Sequence, residues 1–464
     1  LVRQGLYGQR YFREKFGRVC SVGYCVDSFG HAGSLPKILS GCRLGAYVFM
    51  RPQEHENAAI PALAFRWAGD DGTQVTAVRI PRSYGASTGD HLQESIAGSV
   101  ALAAGTGLGA QTFAFYGVGN HGGGPTRQLL AQIASWQQQG TGPQLRHSRL
   151  EEVVSYARSR RLKAWQGEMQ HHARGCYAAV SAIKQGNRRA EAALVSAEMW
   201  GAAAWLHGDR PPATDALGAA WRELLFNQFH DILAGSSVRV ACADAVRQQG
   251  SVEHAAETEA NAARQAISWR IDTRGEGAPL VVFNDQPVPF SGVVESEDVG
   301  FLVRDTAGAE PAFVGASGQP VACQAITPQT ICGRQRFVVR LDVPALGYAV
   351  LHQRTAPRGA SRRLLGAGGV RARRRAPAAT SGAGGRRAGR TASVPGGDQV
   401  LENEYLRLGL TADGYLALYD RRARRQALAG GGGVPLVIGD HSDTWSHGVD
   451  AFPQVLGRMA VTGA

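Results

Sequence analysis

From Leu1 to about residue 150, short apolar runs alternate with stretches whose apolar residues recur three and four apart. Val22-Gly23-Tyr24, Tyr47-Val48-Phe49-Met50, Val75-Thr76-Ala77-Val78 and Phe113-Ala114-Phe115-Tyr116 read as buried strands. Near-continuous apolar strands separated by helical sequence predict a mainly parallel sheet covered on both faces. Several of these strands run straight into polar or glycine-rich sequence, where parallel sheets carry their chemistry.

Between about 180 and 270 the pattern becomes helical throughout. Arg188 to Ala203, Ala216 to Phe229 and Val252 to Trp269 are rich in Ala, Glu and Arg with apolar residues at helical spacing, and predict three long packed helices. From Pro279 the period changes again. Leu280-Val281-Val282-Phe283-Asn284, Phe337-Val338-Val339-Arg340-Leu341 and Gly347-Tyr348-Ala349-Val350-Leu351 read as strands divided by Gly and Pro, a β-sandwich pattern. Thr355 to Gly397 is Arg, Gly and Ala with almost no aromatic or β-branched residue, too little apolar surface to offset its ordering entropy, and is expected to be a disordered linker. Strand-like sequence resumes at Leu401-Glu402-Asn403-Glu404-Tyr405-Leu406 and runs to the end without a closing element. The expected organisation is α/β, then α, then β: a partial parallel β/α domain (1–150), a helical middle domain or three-helix bundle (151–275), part of a β-sandwich (276–354), the linker (355–397) and a continuation of the sandwich (398–464).

Composition changes this picture in two places. The chain has 464 residues, 44% of them hydrophobic and 19% charged, enough for two or three packed domains. The formal charge is +12, but ten arginines and no acidic residue lie between Thr355 and Pro395, so the remainder is nearly neutral. The arginines are not interleaved with aromatics, which argues against nucleic-acid binding. Seven scattered cysteines without a CxxC pair fit a reducing cytoplasm, and no apolar run of membrane-spanning length or leader pattern is visible. The chain opens in what reads as mid-helix, so its start is expected to lie upstream, and the β-region reads as cut short.

Three segments carry candidate chemistry. Gly23-Tyr24-Cys25-Val26-Asp27-Ser28-Phe29-Gly30-His31-Ala32-Gly33-Ser34-Leu35-Pro36 is a strand ending in Asp and His among small residues. A carboxylate there can serve as nucleophile, base or metal ligand, or simply cap the following helix. In Leu224-Leu225-Phe226-Asn227-Gln228-Phe229-His230-Asp231-Ile232-Leu233-Ala234-Gly235-Ser236-Ser237 an apolar helix breaks at a His-Asp pair. His230 offers a ligating nitrogen and Asp231 a carboxylate for substrate, the plainer alternative being a pair of helix caps. Tyr116-Gly117-Val118-Gly119-Asn120-His121-Gly122-Gly123-Gly124-Pro125-Thr126 lacks the Lys-Ser/Thr and the spacing of phosphate loops, so a sugar-facing loop fits it better than a nucleotide site.

Together, and in this order, the three segments resemble the α-mannosidases of glycoside hydrolase family 38. Gly8-Gln9-Arg10-Tyr11-Phe12-Arg13-Glu14-Lys15-Phe16-Gly17, Val48-Phe49-Met50-Arg51-Pro52, Gly167-Glu168-Met169-Gln170-His171-His172-Ala173-Arg174-Gly175 and Ser442-Asp443-Thr444-Trp445-Ser446-His447-Gly448 are similar to family segments too. The resemblance covers nearly the whole chain outside the Arg-rich stretch, and it identifies 1–150 as part of the catalytic domain.

The resemblance implies a retaining, zinc-dependent glycosidase acting on an α-mannoside or oligosaccharide, with oligomeric state left open. Asp27 would be both zinc ligand and nucleophile, forming a covalent mannosyl-enzyme that water hydrolyses. His230 would be a second ligand, Asp231 would contact sugar hydroxyls, Phe29 would line the sugar site, and Arg51 would sit beside the nucleophile and favour its ionised form. The zinc would act as an orienting Lewis acid on vicinal hydroxyls. Two departures stand out. The family's other ligand pair, a His and an Asp two residues apart on an earlier strand, is not in this sequence. Asn120 and His121 occupy the loop where many members carry an Asp acid/base, which makes His121 the candidate for that role. The expectation is weak zinc binding and at most trace turnover by these 464 residues as they stand, unless His31 or His121 completes the metal site. The rival expectation is an inactive, truncated family member that keeps a carbohydrate-facing pocket.

Overall fold

The computed structural model describes residues 1–106, 108–109, 111–119, 123–170, 173–297, 309–327, 330, 333–357, 371–374, 399–411, 414–428, 432–443, 445–446, 449 and 451–459. They form two compact units, one built from 1–192, 218–255 and 442–450, the other from 193–217, 256–441 and 451–464.

The first unit holds helix α1 (Val2–Phe16), strand β1 (Val22–Cys25), α2 (Leu35–Gly41), β2 (Ala46–Phe49), β3 (Ala64–Ala68), β4 (Gln74–Arg79), α3 (Gly89–Ala104), α4 (Arg127–Gln139), α5 (Leu150–Arg158) and β5 (Ala164–Gln166). The strands form a sheet in the order β1-β2-β4-β3-β5, parallel throughout except between β3 and β4. Every residue of β2 is buried, and the two-residue period of the strand explains how. Ala46 and Val48 face a core shared with Val154 and Ala157 of α5. Tyr47 and Phe49 face the opposite core, shared with Leu35 and Leu39 of α2, Phe65 and Trp67. Each large side chain buried this way contributes roughly 1.5 to 3 kcal/mol before entropy is counted.

The apolar runs at 22–24, 47–50 and 75–78 are strands β1, β2 and β4, as the sequence pattern predicts. Phe113–Tyr116 is not a strand, which corrects the expectation. Its side chains alternate as a strand's would, Phe113 and Phe115 joining one core and Ala114 and Tyr116 another. Among the described residues it has no ladder partner, however; the neighbouring pairing is the bridge from Gly117 N–H to the Ala86 carbonyl. Alternation reports which face a residue buries, not whether the backbone is paired.

Helices α6 (Ser181–Gly208), α7 (Thr214–Phe226), α8 (His230–Leu233) and α9 (Arg239–Ser268) follow. Within the first unit, Ile183 of α6 packs with Cys242 and Ala245 of α9 and with Ile232 and Leu233 of α8. The helix expected to reach Phe229 stops at Phe226, and that break positions the His-Asp pair.

The second unit carries β6 (Ala278–Asn284), β7 (Phe290–Glu297), β8 (Ala309–Gly315), β9 (Pro320–Val321), β10 (Cys323–Ile326), β11 (Arg336–Val343) and β12 (Gly347–Pro357). They form two antiparallel sheets, β6-β12-β8-β9 and β10-β11-β7. Phe313, Phe337, Val339, Leu341 and Leu351 form the core between them. Strands β13 (Arg371–Arg374), β14 (Gln399–Glu402), β15 (Leu406–Leu410), β16 (Leu416–Asp420) and β17 (Arg425–Gln426) make a further antiparallel sheet, and β18 (Leu436–Ile438) pairs with β19 (Val455–Arg458).

The segment read as a linker therefore contains strand. Thr355–Pro357 continue β12, and Arg371–Arg374 pair with β14 from Arg371↔Glu402 to Arg374↔Gln399. Ladder bonds join backbone groups and need no apolar side chain, which is why composition missed them. The rest of 355–397 lies outside the described residues. Among the described residues no helix is long and apolar enough to cross a membrane.

Candidate active site

Strand β1 runs into the turn that carries Asp27, closed by a 2.8 Å contact between Cys25 Sγ and Ser28 Oγ. Gly30 has to be small: a Cβ there would collide with the Tyr177 hydroxyl and come within 3.1 Å of the Met169 carbonyl. The same Tyr177 hydroxyl donates to the Phe29 carbonyl at 3.1 Å. Phe29 is buried against Trp445, with ring centroids 4.4 Å apart, and stands edge-to-face with the His230 ring at a centroid separation of 6.2 Å.

His230 arrives from the break between α7 and α8. Buried Asn227 donates to the Glu223 carbonyl at 3.0 Å and to Gln248 Oε1 at 2.9 Å, and Gln228 donates to Asn187 Oδ1 at 3.0 Å. The polar residues before the His-Asp pair thus tie the break to the flanking helices. Ser236 Oγ donates to Asp231 Oδ1 at 3.3 Å. Gly235 holds the next turn at φ 75°, where a Cβ would lie 2.7 Å from the Ala179 carbonyl.

Around the Asp27 carboxylate, Arg51 Nε donates to Oδ1 at 2.7 Å and the Tyr84 hydroxyl donates to Oδ2 at 3.3 Å. His230 Nε2 lies 3.6 Å from Asp27 Oδ2 and 3.7 Å from Asp231 Oδ2. The Asp27 carboxyl is held down at about 2: the adjacent His230 imidazole and the Arg51 hydrogen bond and charge favour the anion and outweigh the opposing effect of burial. The His230 contact is longer than a hydrogen bond, so the short bond to Arg51 is the firmer geometric cause. The Tyr84 phenol moves the other way, raised by burial and then by the Asp27 charge, and so stays a donor.

The structure thus brings together Asp27, Phe29, Arg51, His230 and Asp231, the residues expected to meet. Asn120 and His121 lie outside the described residues. Their neighbour Gly119 lies against Tyr84, since a Cβ on Gly119 would meet the Tyr84 ring at 3.0 Å. Sequence reasoning missed Tyr84 and, as a site residue, Trp445. Tyr84 follows the end of β4, and the polar turn after a parallel strand was the available signal. The segment that holds Trp445 was marked only by its resemblance to the family, with no role attached to Trp445, whose contact with Phe29 spans more than 400 residues.

For a metal ion the test is His230 Nε2. It is buried, has no hydrogen-bond partner, and faces a carboxylate oxygen. Tetrahedral zinc with bonds of about 2.0 to 2.2 Å holds neighbouring donors about 3.4 Å apart. The 3.6 Å between His230 Nε2 and Asp27 Oδ2 fits one edge of such a site. The pair supplies two positions, and among the described residues no group of three or more His, Cys, Asp or Glu is arranged to hold a metal. His31 does not complete the set, because both of its ring nitrogens are already engaged, with the Arg51 carbonyl and the Tyr47 hydroxyl.

Residues 1–172 match the glycosyl hydrolases family 38 N-terminal domain, and residues 169–267 match the alpha mannosidase middle domain. Human alpha-mannosidase 2C1 is 30% identical over 297 residues, 62% of this chain and 28% of its own length. Alpha-mannosidase G of Dictyostelium discoideum is 28% identical over 259 residues, 54% of this chain and 23% of its own. The chain therefore spans less than a third of the curated relatives it matches. A solved alpha-mannosidase from Enterococcus faecalis V583 superposes with a TM-score of 0.67 at 19% identity, over 92% of this chain and 50% of that one. A family 38 protein from Enterococcus faecalis gives 0.62 at 17% identity, over 99% and 51%. With two contiguous domain matches running from residue 1 to residue 267 and relatives that are all α-mannosidases, the chain belongs to glycosyl hydrolase family 38.

Proposed function

We propose that the protein is a glycosidase that removes terminal α-linked mannose from mannosides or glycans by a retaining, zinc-assisted reaction. The observation that carries this reading is the Asp27 carboxylate, ionised and gripped by Arg51 and Tyr84 on one side while His230 faces it with an unpartnered nitrogen. Asp27 attacks the anomeric carbon as the glycosidic C–O bond breaks, forming a mannosyl ester, and water then displaces the carboxylate from the face that the leaving group vacated. Arg51 keeps the nucleophile anionic in the free enzyme, and Tyr84 orients its second oxygen. Phe29 and Trp445 supply an apolar wall, and Asp231, held by Ser236, accepts from sugar hydroxyls. His121 is the candidate that protonates the leaving oxygen and later activates water. Asp27 and His230 are the residues that would hold zinc, which when bound supplies a Lewis acid for vicinal hydroxyls. All six described cysteines are free thiols, which fits a cytoplasmic setting.

The test is hydrolysis of an aryl α-mannoside in the presence of zinc, with the first-formed sugar anomer followed by proton NMR. α-Mannose as the initial product is the expected result. Initial β-mannose, or no hydrolysis by a chain that also carries the family's His-x-Asp ligand pair, overturns the reading.

A further inference from the structure

A second histidine lies in the same segment and takes no direct part in the site. The His31 ring is only 4% exposed, packed edge-on to Tyr47 at 5.4 Å and to Phe49 at 5.5 Å. Its main chain is clamped to Met169 by a reciprocal pair of hydrogen bonds of 3.0 and 2.8 Å. Nε2 lies 2.9 Å from the Arg51 carbonyl and Nδ1 lies 2.9 Å from the Tyr47 hydroxyl. A carbonyl only accepts, so Nε2 carries the proton, and Nδ1 accepts from the Tyr47 O–H. Burial lowers the His31 pKa to about 4 and raises that of Tyr47, which keeps both groups neutral and this donor order unique.

The location of the Arg51 carbonyl explains what this bond does. The parallel ladder between β2 and β4 ends where Ile80 N–H bonds the Phe49 carbonyl, and Arg51 lies two residues beyond. Its guanidinium nevertheless has to reach Asp27 at 2.7 Å. Past the end of the sheet, His31 is a buried donor to the Arg51 main chain. We propose that His31, locked by Tyr47, is a positioning residue: it fixes the Arg51 main chain so that the guanidinium sits on Oδ1 of the Asp27 nucleophile. The proposal rests on the reading of Asp27 as nucleophile. Asp27 and His31 are only four residues apart, so one segment delivers the carboxylate and aligns the arginine that keeps it ionised.

A misplacement of about 1 Å in such a group costs on the order of 100-fold in rate. His31→Leu, which removes both ring bonds, is expected to lower kcat by ~10- to 100-fold on an aryl α-mannoside with KM changed less than ~3-fold. His31→Gln keeps an N–H for the Arg51 carbonyl and should recover most of the loss, and Tyr47→Phe should cost less than His31→Leu. A purely structural role predicts neither the split nor the rescue. In an Arg51→Ala background His31→Leu should cost no more than about another 2-fold, because contacting residues that act as a unit are not additive. Crystal structures of both His31 variants give a readout independent of turnover: the Arg51–Asp27 bond of 2.7 Å should lengthen by about 1 Å or more in His31→Leu and persist in His31→Gln. An unmoved Arg51, or equal losses in both backgrounds, overturns the proposal. If Arg51 moves as expected while Asp27→Asn turns over normally, the nucleophile assignment fails instead and the positioning role stands.

Discussion

His31 and His230 are both largely inside the first unit, within reach of the same carboxylate site, yet their surroundings are opposite. His31 has a partner on each ring nitrogen and is closed to any ligand. His230 presents a buried Nε2 with no hydrogen bond, 3.6 Å from one carboxylate oxygen and 3.7 Å from another. A buried polar atom left unpaired costs roughly 1 to 3 kcal/mol, a cost that persists where a ligand relieves it. The contrast separates a histidine that builds a site from one that binds in it, and it rests on the second hydrogen bond rather than on burial.

Asp27→Asn removes the proposed nucleophile and should lower kcat/KM for an aryl α-mannoside by ~1,000-fold or more, measured under single-turnover conditions. His230→Ala should weaken zinc binding by more than ~100-fold in competition with a chromogenic chelator, since losing a ligand exceeds the loss of an outer partner. Zinc affinity unchanged in that variant would remove His230 from the metal site.

His31 has a folded pKa of about 4, below the ordinary value of 6.5, so the unfolded chain binds the extra proton between the two. Its contribution to stability is complete above about pH 6.5 and lost as pH falls towards 4, a loss on the order of 3 kcal/mol. Asp27 acts in a lower window, between 3.8 and about 2, so the two separate. Urea unfolding at several pH values should show the slope above pH 4, and His31→Gln should flatten it. Smallest of all, Tyr84→Phe should cost about 3- to 10-fold in kcat/KM, the value of one long hydrogen bond to a carboxylate whose main partner, Arg51, remains.

Read as a pattern, the chain discloses its buried strands well, because β2 has to be apolar on both faces to sit between two cores. It discloses pairing poorly: Phe113–Tyr116 alternates without a ladder among the described residues, while Arg371–Arg374 pairs although three of its four residues are arginine. The residues at Asp27 and His230 were visible as breaks in regular sequence, a strand ending in Asp and a helix ending in His-Asp. Tyr84 and Trp445 were not singled out as site residues, because each reaches the site across a long sequence separation and only the fold brings it there. The two histidines look alike in sequence, and only the Tyr47 hydroxyl and the Arg51 carbonyl, brought in by the fold, tell them apart.

The central claim is that Asp27 is the group that bonds to the sugar. The most direct measurement is mass-spectrometric peptide mapping after inactivation with a fluorinated mannosyl fluoride, which lets the glycosyl-enzyme accumulate. The account predicts one mannosyl adduct, on the peptide containing Asp27, and none in Asp27→Asn. An adduct on Asp231 or any other carboxylate, or an adduct that survives in Asp27→Asn, would contradict it.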